Sequence, residues 1–324
     1  MTSPPPADTK PPRFDPTNSL FDLNTFCGRL SHFLRVLDPR TLFTPQQELQ
    51  RCDSIIQDWR KGIQHADQEL WDCKSTLEAC THPVSKEAIP VPFRMSAFTP
   101  VNIPIVLAMM NATSPSGVLF VHWLNQTYNS AVNLSNCSGG GEADTTQILQ
   151  SYLLAVVTSC SLALGLGKIA KQIPAASPAL FSYFAVSAAG TSNIMFSRQN
   201  ELREGAPMTD STGKYHGQSL IAGKSVVLQT AVSRGLIFPL PVLLLPHAIM
   251  KGLEKLSLLP KNPRLRLAVE LCAITGSLAG ALPVCMALFP QTATFKATEL
   301  ESHFQGLRDG QGRPIATFQT NKGL

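Results

Sequence analysis

The segment from Phe120 to Asn136, FVHWLNQTYNSAVNLSN, carries four asparagines, a glutamine and a histidine with no formal charge among them. At about 100° per residue, Asn125, Asn136, Asn129 and Asn133 fall at about 0°, 20°, 40° and 80° on a helical wheel. His122 falls at about 60° and Gln126 at about 100°. The spacing predicts a helix with one neutral hydrogen-bonding face, while Val121, Trp123, Leu124, Tyr128 and Val132 cover much of the rest. An amide left unpartnered in an apolar medium costs about 2–7 kcal/mol, so such a face needs something to bond. Each carboxamide offers donor hydrogens and an acceptor oxygen. That chemistry suits a polar or zwitterionic solute, whose ammonium needs acceptors and whose carboxylate needs donors. It equally suits an interfacial helix with a wetted face, or amides that bond other helices.

No other pattern competes. Gly165-Leu166-Gly167-Lys168 lacks the spacing and preceding strand of a phosphate loop. There is no nucleophile elbow and no HExxH, and Cys73, Cys80 and His82 fit no zinc spacing. The sequons at Asn111, Asn125, Asn133 and Asn136 matter only in a secretory protein. The sequence therefore points to no enzyme, cofactor or metal. The net charge of +5 is spread without a basic stripe, which argues against a nucleic-acid partner.

The elements that must position the amide face belong to a bilayer. Only 15% of the 324 residues are charged, against about 25% in an ordinary soluble protein. Between Arg94 and Arg198 the formal charges are Glu142, Asp144, Lys168 and Lys171 alone. Apolar runs cover 97–110, 151–167, 175–196, 235–250 and 268–289, with Glu270 at an edge of the last. They predict an all-α, multi-pass membrane protein with about five transmembrane helices. Pro239, Pro241 and Pro246 predict a broken fourth helix. Ser159, Ala163 and Gly167, and likewise Gly276 and Gly280, are spaced for close helix approach. The amide helix lies between the first and second runs, as a partly inserted helix or an extension of the first.

Ahead of the bilayer segment, residues 1–20 read as a disordered Pro-rich lead, without the features of a secretory signal or a presequence. Residues 21–96 read as a soluble or interfacial arm, with an amphipathic helix from Thr25 to Leu37 and further helices from about Pro45 and Asp67. The membrane domain occupies 97–289 and a tail 290–324. Loop charge with five spans puts Lys168, Lys171 and the 251–266 cluster on the side of the arm and the C-terminus opposite, although the basic residues of 197–234 weigh against this.

Several stretches resemble the sideroflexins, over nearly the whole length from Phe26. They are Gly28-Arg29 with His32-Phe33-Leu34, Asp38-Pro39-Arg40-Thr41-Leu42-Phe43, Arg94-Met95-Ser96, and Trp123-Leu124-Asn125-Gln126 with Asn129 and Asn133. Leu288-Phe289-Pro290-Gln291 and Asn321-Lys322-Gly323-Leu324 complete the match. The Pro-rich fourth span and Phe93-Arg94-Met95-Ser96 look closest to the branch of the fifth paralogue. The resemblance implies five transmembrane helices, the mitochondrial inner membrane, a matrix-facing N-terminus and transport of small amino acids such as serine; the fifth branch is also linked to citrate. The sequence departs from the family pattern in the element His82-Pro83-Val84-Ser85-Lys86-Glu87, where the family's HPDTGE-like run has Asp and Gly, and at Leu134 and Cys137.

Three functions follow as expectations. The first is a carrier of serine or a related small neutral amino acid, with His122, Asn125, Gln126, Asn129 and Asn133 along the solute path. Arg234, at the mouth of the fourth span, is either a partner for the solute carboxylate or an interfacial anchor. The second is a tricarboxylate carrier, disfavoured because the spans hold too few cations for a multiply charged anion. The third is a membrane scaffold for assembly of respiratory complexes or iron handling, with protein partners that the sequence does not name.

Overall fold

The computed structural model describes residues 11–83, 85–136, 145–170 and 178–321. Of the residues singled out above, Cys137, Glu142, Asp144, Lys171, Val84 and the terminal Lys322-Gly323-Leu324 lie outside this set, as does the side chain of Lys168.

The arm is three helices: α1 (Phe26–Val36), α2 (Gln46–Arg60) and α3 (Asp67–Cys80). Its core is Cys52, Ile55, Ile56, Leu70, Trp71 and Cys73, joined by Phe14. The expected disorder of residues 1–20 is corrected for the described part. The Phe14 ring stands edge-on to Trp59 and Trp71, at 5.1 and 4.9 Å between centroids. The backbone follows it in, with Phe14 N donating to Asp67 Oδ1 and Trp71 Nε1 donating to the Pro12 carbonyl. One buried aromatic anchors a stretch whose composition is otherwise that of a linker.

Among the described residues the bundle consists of six helical rods. They are α4 (Phe98–Asn111), α5 (Pro115–Asn136), α6 (Thr145–Ala170), α7 (Pro178–Ser197), a continuous run from Leu220 to Lys255, and α11 (Pro263–Ala287). A short α8 (Gln199–Arg203) follows α7. The long run comprises α9 (Leu220–Thr230), a π-helical segment (Ala231–Ile237) and α10 (Pro239–Lys255). Leu220–Lys255 and Pro263–Ala287, each with mean hydropathy 1.7, are long and apolar enough to cross a membrane; Met95–Asn111 and Leu149–Gly165 are shorter apolar helices.

The amide helix is a separate helix and not an extension of its predecessor. Ser114 caps α5, its Oγ accepting from Gly117 N, and Pro115 follows in the first helical position, where its missing N–H costs nothing. The 22 residues of α5 rise about 33 Å, antiparallel to α4. Tyr128 Oη donates to the Pro92 carbonyl and Asn136 Nδ2 to the Phe93 carbonyl, which returns the end of α5 to the start of α4. The broken helix expected at Pro239–Pro246 is also corrected. Pro239 and Pro241 sit in the first turn of α10 and Pro246 within it, and the irregularity is the π segment just ahead. Prolines remove the N–H donors that the preceding carbonyls would meet, and a widened turn absorbs the mismatch. Phe238 N reaches back five residues to the Ser233 carbonyl, and Tyr183 Oη donates to the carbonyl of Leu236.

The expectation of an all-α fold is corrected by a four-stranded antiparallel sheet of order β2-β1-β4-β3. Its strands are β1 (Ala206–Thr209), β2 (Tyr215–Ser219), β3 (Thr292–Lys296) and β4 (Thr317–Asn321). Register runs Thr292↔Asn321 to Lys296↔Thr317, with Thr209 opposite Gln319. The sheet buries Met208, Phe304 and Phe318 completely, so residues 290–321 are part of a folded unit and not a tail.

Arg29 joins arm to bundle. Its buried guanidinium donates from Nε to the Ala287 carbonyl at the end of α11, and from Nη1 to Leu23 and Asn24. This satisfies a carbonyl at a helix C-terminus, where a cation is also favoured by the dipole. The sheet begins five residues beyond Ala287. The arm and the C-terminal strands therefore lie at the same end of the bundle, while the basic 251–266 stretch, about 36 Å along α11, lies at the other. Six rods along the bundle, α5 among them, return the chain to the end where it began, where five would leave it opposite.

Candidate functional site

The middle of α5 is held by contacts on three sides. Towards α6, His122 Nδ1 lies 2.9 Å from Ser159 Oγ, and Trp123 Nε1 and Thr127 Oγ1 each lie 3.0 Å from Tyr152 Oη. Towards α4, Val121, Tyr128 and Val132 enter the main apolar core with Phe98, Ile105, Val106 and Met109. Towards α7, Ser130 Oγ accepts from Asn193 Nδ2 at 3.2 Å. The bundle is apolar around these bonds, so each polar side chain without one stands out.

The proposed face divides. His122, Asn125 and Gln126 are 2%, 5% and 2% exposed, deep in the bundle. Asn129 is half-buried and Asn133 exposed, so the lower part of the stripe faces outward. Asn136 is spent on the carbonyls of Phe93 and Val132. The helical spacing put all six on one side, but neighbours on three sides cover only its upper half. Arg234 lies inside the π segment of the 36-residue helical run, which extends back from the apolar run at Gly235 to Leu220, and forms no salt bridge among the described residues.

Within the buried part, Asn125 Nδ2 has no hydrogen-bond partner among the described residues. Sequence reasoning passed over three further polar residues. Asn102 on α4 is buried and donates to the Phe98 carbonyl. Ser187 on α7 is buried, and its Oγ, like Thr191 Oγ1, has no hydrogen-bond partner among the described residues. The available signal was a lone amide in the first apolar run and two hydroxyls four residues apart in the third; it was weak because Ser and Thr are common in membrane helices.

A close approach joins α7 to the π segment. A Cβ on Gly235 would fall 2.4 Å from Thr191 Oγ1 and 3.1 Å from its backbone N and Cα. A Cβ on Gly190 would be 3.6 Å from Gly235 Cα. This pair, and not Gly276 with Gly280, is where backbones meet; both of the latter face open space. Ser159 and Ala163 are buried.

The altered His82 element forms a turn at the edge of the arm, closed by His82 N to the Glu87 carbonyl and by a bridge between Thr81 and Ala88. Among the described residues no three His, Cys, Asp or Glu side chains are grouped to hold a metal ion.

Comparison with known proteins agrees with this architecture. Residues 15–324 match the family model described as Sideroflexins. The chain is 37% identical to "Sideroflexin" of Dictyostelium discoideum, covering 97% of this chain and 98% of that protein. It is 34% identical to "Sideroflexin-5" of Homo sapiens, over 99% and 94%, and 33% identical to "Sideroflexin-1" of Mus musculus, over 97% and 98%. Those last two values are too close to assign a branch. No solved structure matches. With the match running from Asp15 through the amide helix to the closing strand, the chain belongs to the sideroflexin family.

Proposed function

We propose that this chain carries a small neutral amino acid, with serine the foremost substrate, across the mitochondrial inner membrane. The observation that carries the reading is the row His122, Asn125 and Gln126, uncharged and almost fully buried in an otherwise apolar bundle. Such groups are expensive in a membrane domain and mark solute paths by default. A zwitterion needs neutral donors and acceptors and brings its own charges in compensating pairs. A tricarboxylate would need several cations, and the row supplies none. The family resemblance supports both the substrate class and the membrane.

The test is uptake of labelled serine by proteoliposomes holding the full chain. Wild type should exceed protein-free vesicles, Asn125→Leu should cut uptake at least about tenfold, and excess citrate should leave it unchanged. Wild-type uptake equal to that of empty vesicles overturns the reading. Full competition by citrate replaces it with a tricarboxylate carrier.

A further inference from the structure

The carrier reading leaves open which groups hold the solute, and the packing of four elements narrows this. Phe98 of α4 meets Tyr128 of α5 at 6.1 Å between centroids and Phe238, which follows the π segment, at 5.7 Å. One turn further along the antiparallel α4–α5 seam stand Asn102 and Asn125, both buried and at matching height. On α7, which runs parallel to α5 and touches it at Asn193, Ser187 lies at this same height. Tyr183, Ser187 and Thr191 form one stripe at four-residue spacing, and its two ends meet the π segment at Leu236 and Gly235. The stripe therefore faces that segment.

Three buried polar atoms in this region lack partners among the described residues: Asn125 Nδ2, Ser187 Oγ and Thr191 Oγ1. All three can donate a hydrogen bond. Arg234, without a salt bridge among the described residues, immediately precedes the glycine against which Thr191 packs. Buried donors are rarely left unmade, and removing their water without replacement is costly. A π segment within a long helix is frequently found at functional sites.

We infer that the carboxylate of the transported amino acid is held where α4, α5, α7 and the π segment meet, by Asn125 Nδ2 and the hydroxyls of Ser187 and Thr191. This rests on the carrier reading and goes beyond it by naming the end of the solute that is bound and two residues that hold it. Asn102 is left out of the site because its amide nitrogen is committed to the Phe98 carbonyl.

The test compares serine with ethanolamine, the same molecule without its carboxylate, as competitors of labelled-serine uptake in proteoliposomes. In wild type, serine should compete at least about tenfold better than ethanolamine. Asn125→Asp replaces the amide donor by an anion and should abolish that advantage. Ser187→Ala and Thr191→Val remove single hydroxyls at nearly constant shape, and each should weaken serine about three- to tenfold while leaving ethanolamine unmoved. Because the last two are mild, they remain informative if Asn125→Asp does not fold. Equal losses for both ligands, or serine affinities within twofold of wild type in both hydroxyl variants, overturn the site while leaving transport intact. A wild type that moves no serine removes the carrier reading and this site with it.

Discussion

At the scale of the residue, Lys86 shows how a change of residue type is felt by the backbone. It stands where the family pattern has glycine, and its φ is +60°. A side chain in the left-handed region costs about 1–2 kcal/mol, partly returned because glycine loses more freedom on folding. Lys86 also donates from Nζ to the Pro83 carbonyl at 2.6 Å, an exposed bond of small net value. Lys86→Gly is therefore expected to stabilise the arm by about 0.5–1 kcal/mol, read as a higher denaturation midpoint. A lower midpoint would show that the lysine bond outweighs the backbone strain. The departure at this turn thus has a structural consequence, and nothing in it requires a ligand.

Among the elements, the α7–π contact is an exacting one. Gly235→Ala would bring a methyl within 2.4 Å of Thr191 Oγ1. Overpacking of this kind typically costs about 1–3 kcal/mol, and the backbone atoms of Thr191 at 3.1 Å leave little room to yield. The expected result is a lower thermal midpoint and reduced serine uptake. Thr191→Ala in the same chain should restore part of the stability, since the hydroxyl makes the nearest clash, but not the uptake. A Gly235→Ala protein with wild-type midpoint would show that the two helices separate freely. The hairpin between β1 and β2 provides a second prediction. Asp210 accepts from the Thr212 hydroxyl, from the His216 ring 2.8 Å away, and from the backbone amides of Thr212 and Lys214. These bonds, the Thr212 hydroxyl foremost and then His216, hold its carboxyl well below the usual value of 3.8. A depressed carboxylate stabilises the fold at pH above its unfolded value, and that stability is lost as pH falls through 3.8 towards the folded value. Hydrogen exchange at Thr212 and Lys214 should therefore show protection that is constant near neutrality and declines below about pH 4. In Asp210→Asn the decline should disappear; an unchanged profile would assign it to another group.

Over the whole molecule, the shared position of arm and sheet makes a topological prediction. Arg29 ties α1 to the last residue of α11, and β3 starts directly afterwards. With the bundle in a membrane, tags at the two termini must be reached from the same side. Impermeant labelling or protease treatment of sealed membrane vesicles holding the chain should modify both tags or neither. Modification of one alone would mean that a helix counted here as a crossing does not cross. The basic 251–266 cluster and the arm stand at opposite ends of the bundle, so positive charge is divided between its two ends.

The distribution of charge and the apolar runs were enough to establish a helical membrane domain with an arm, because hydrocarbon admits few ions and periodicity records which faces avoid water. The amide row could be read from α5 alone, since the positions of side chains around one helix depend only on their spacing. Which amides are buried could not, because burial is set by α4, α6 and α7, and their placement is nowhere local in the chain. The same holds for the sheet: four- and five-residue strands such as APMT and TFQTN carry no periodic signal, and their pairing joins residues more than 100 positions apart. The π segment arises where two prolines meet a helix already packed against Gly190 and Thr191. That Asn125 Nδ2, Ser187 Oγ and Thr191 Oγ1 are buried without partners among the described residues was likewise decided by tertiary packing, because the neighbours of each come from other helices.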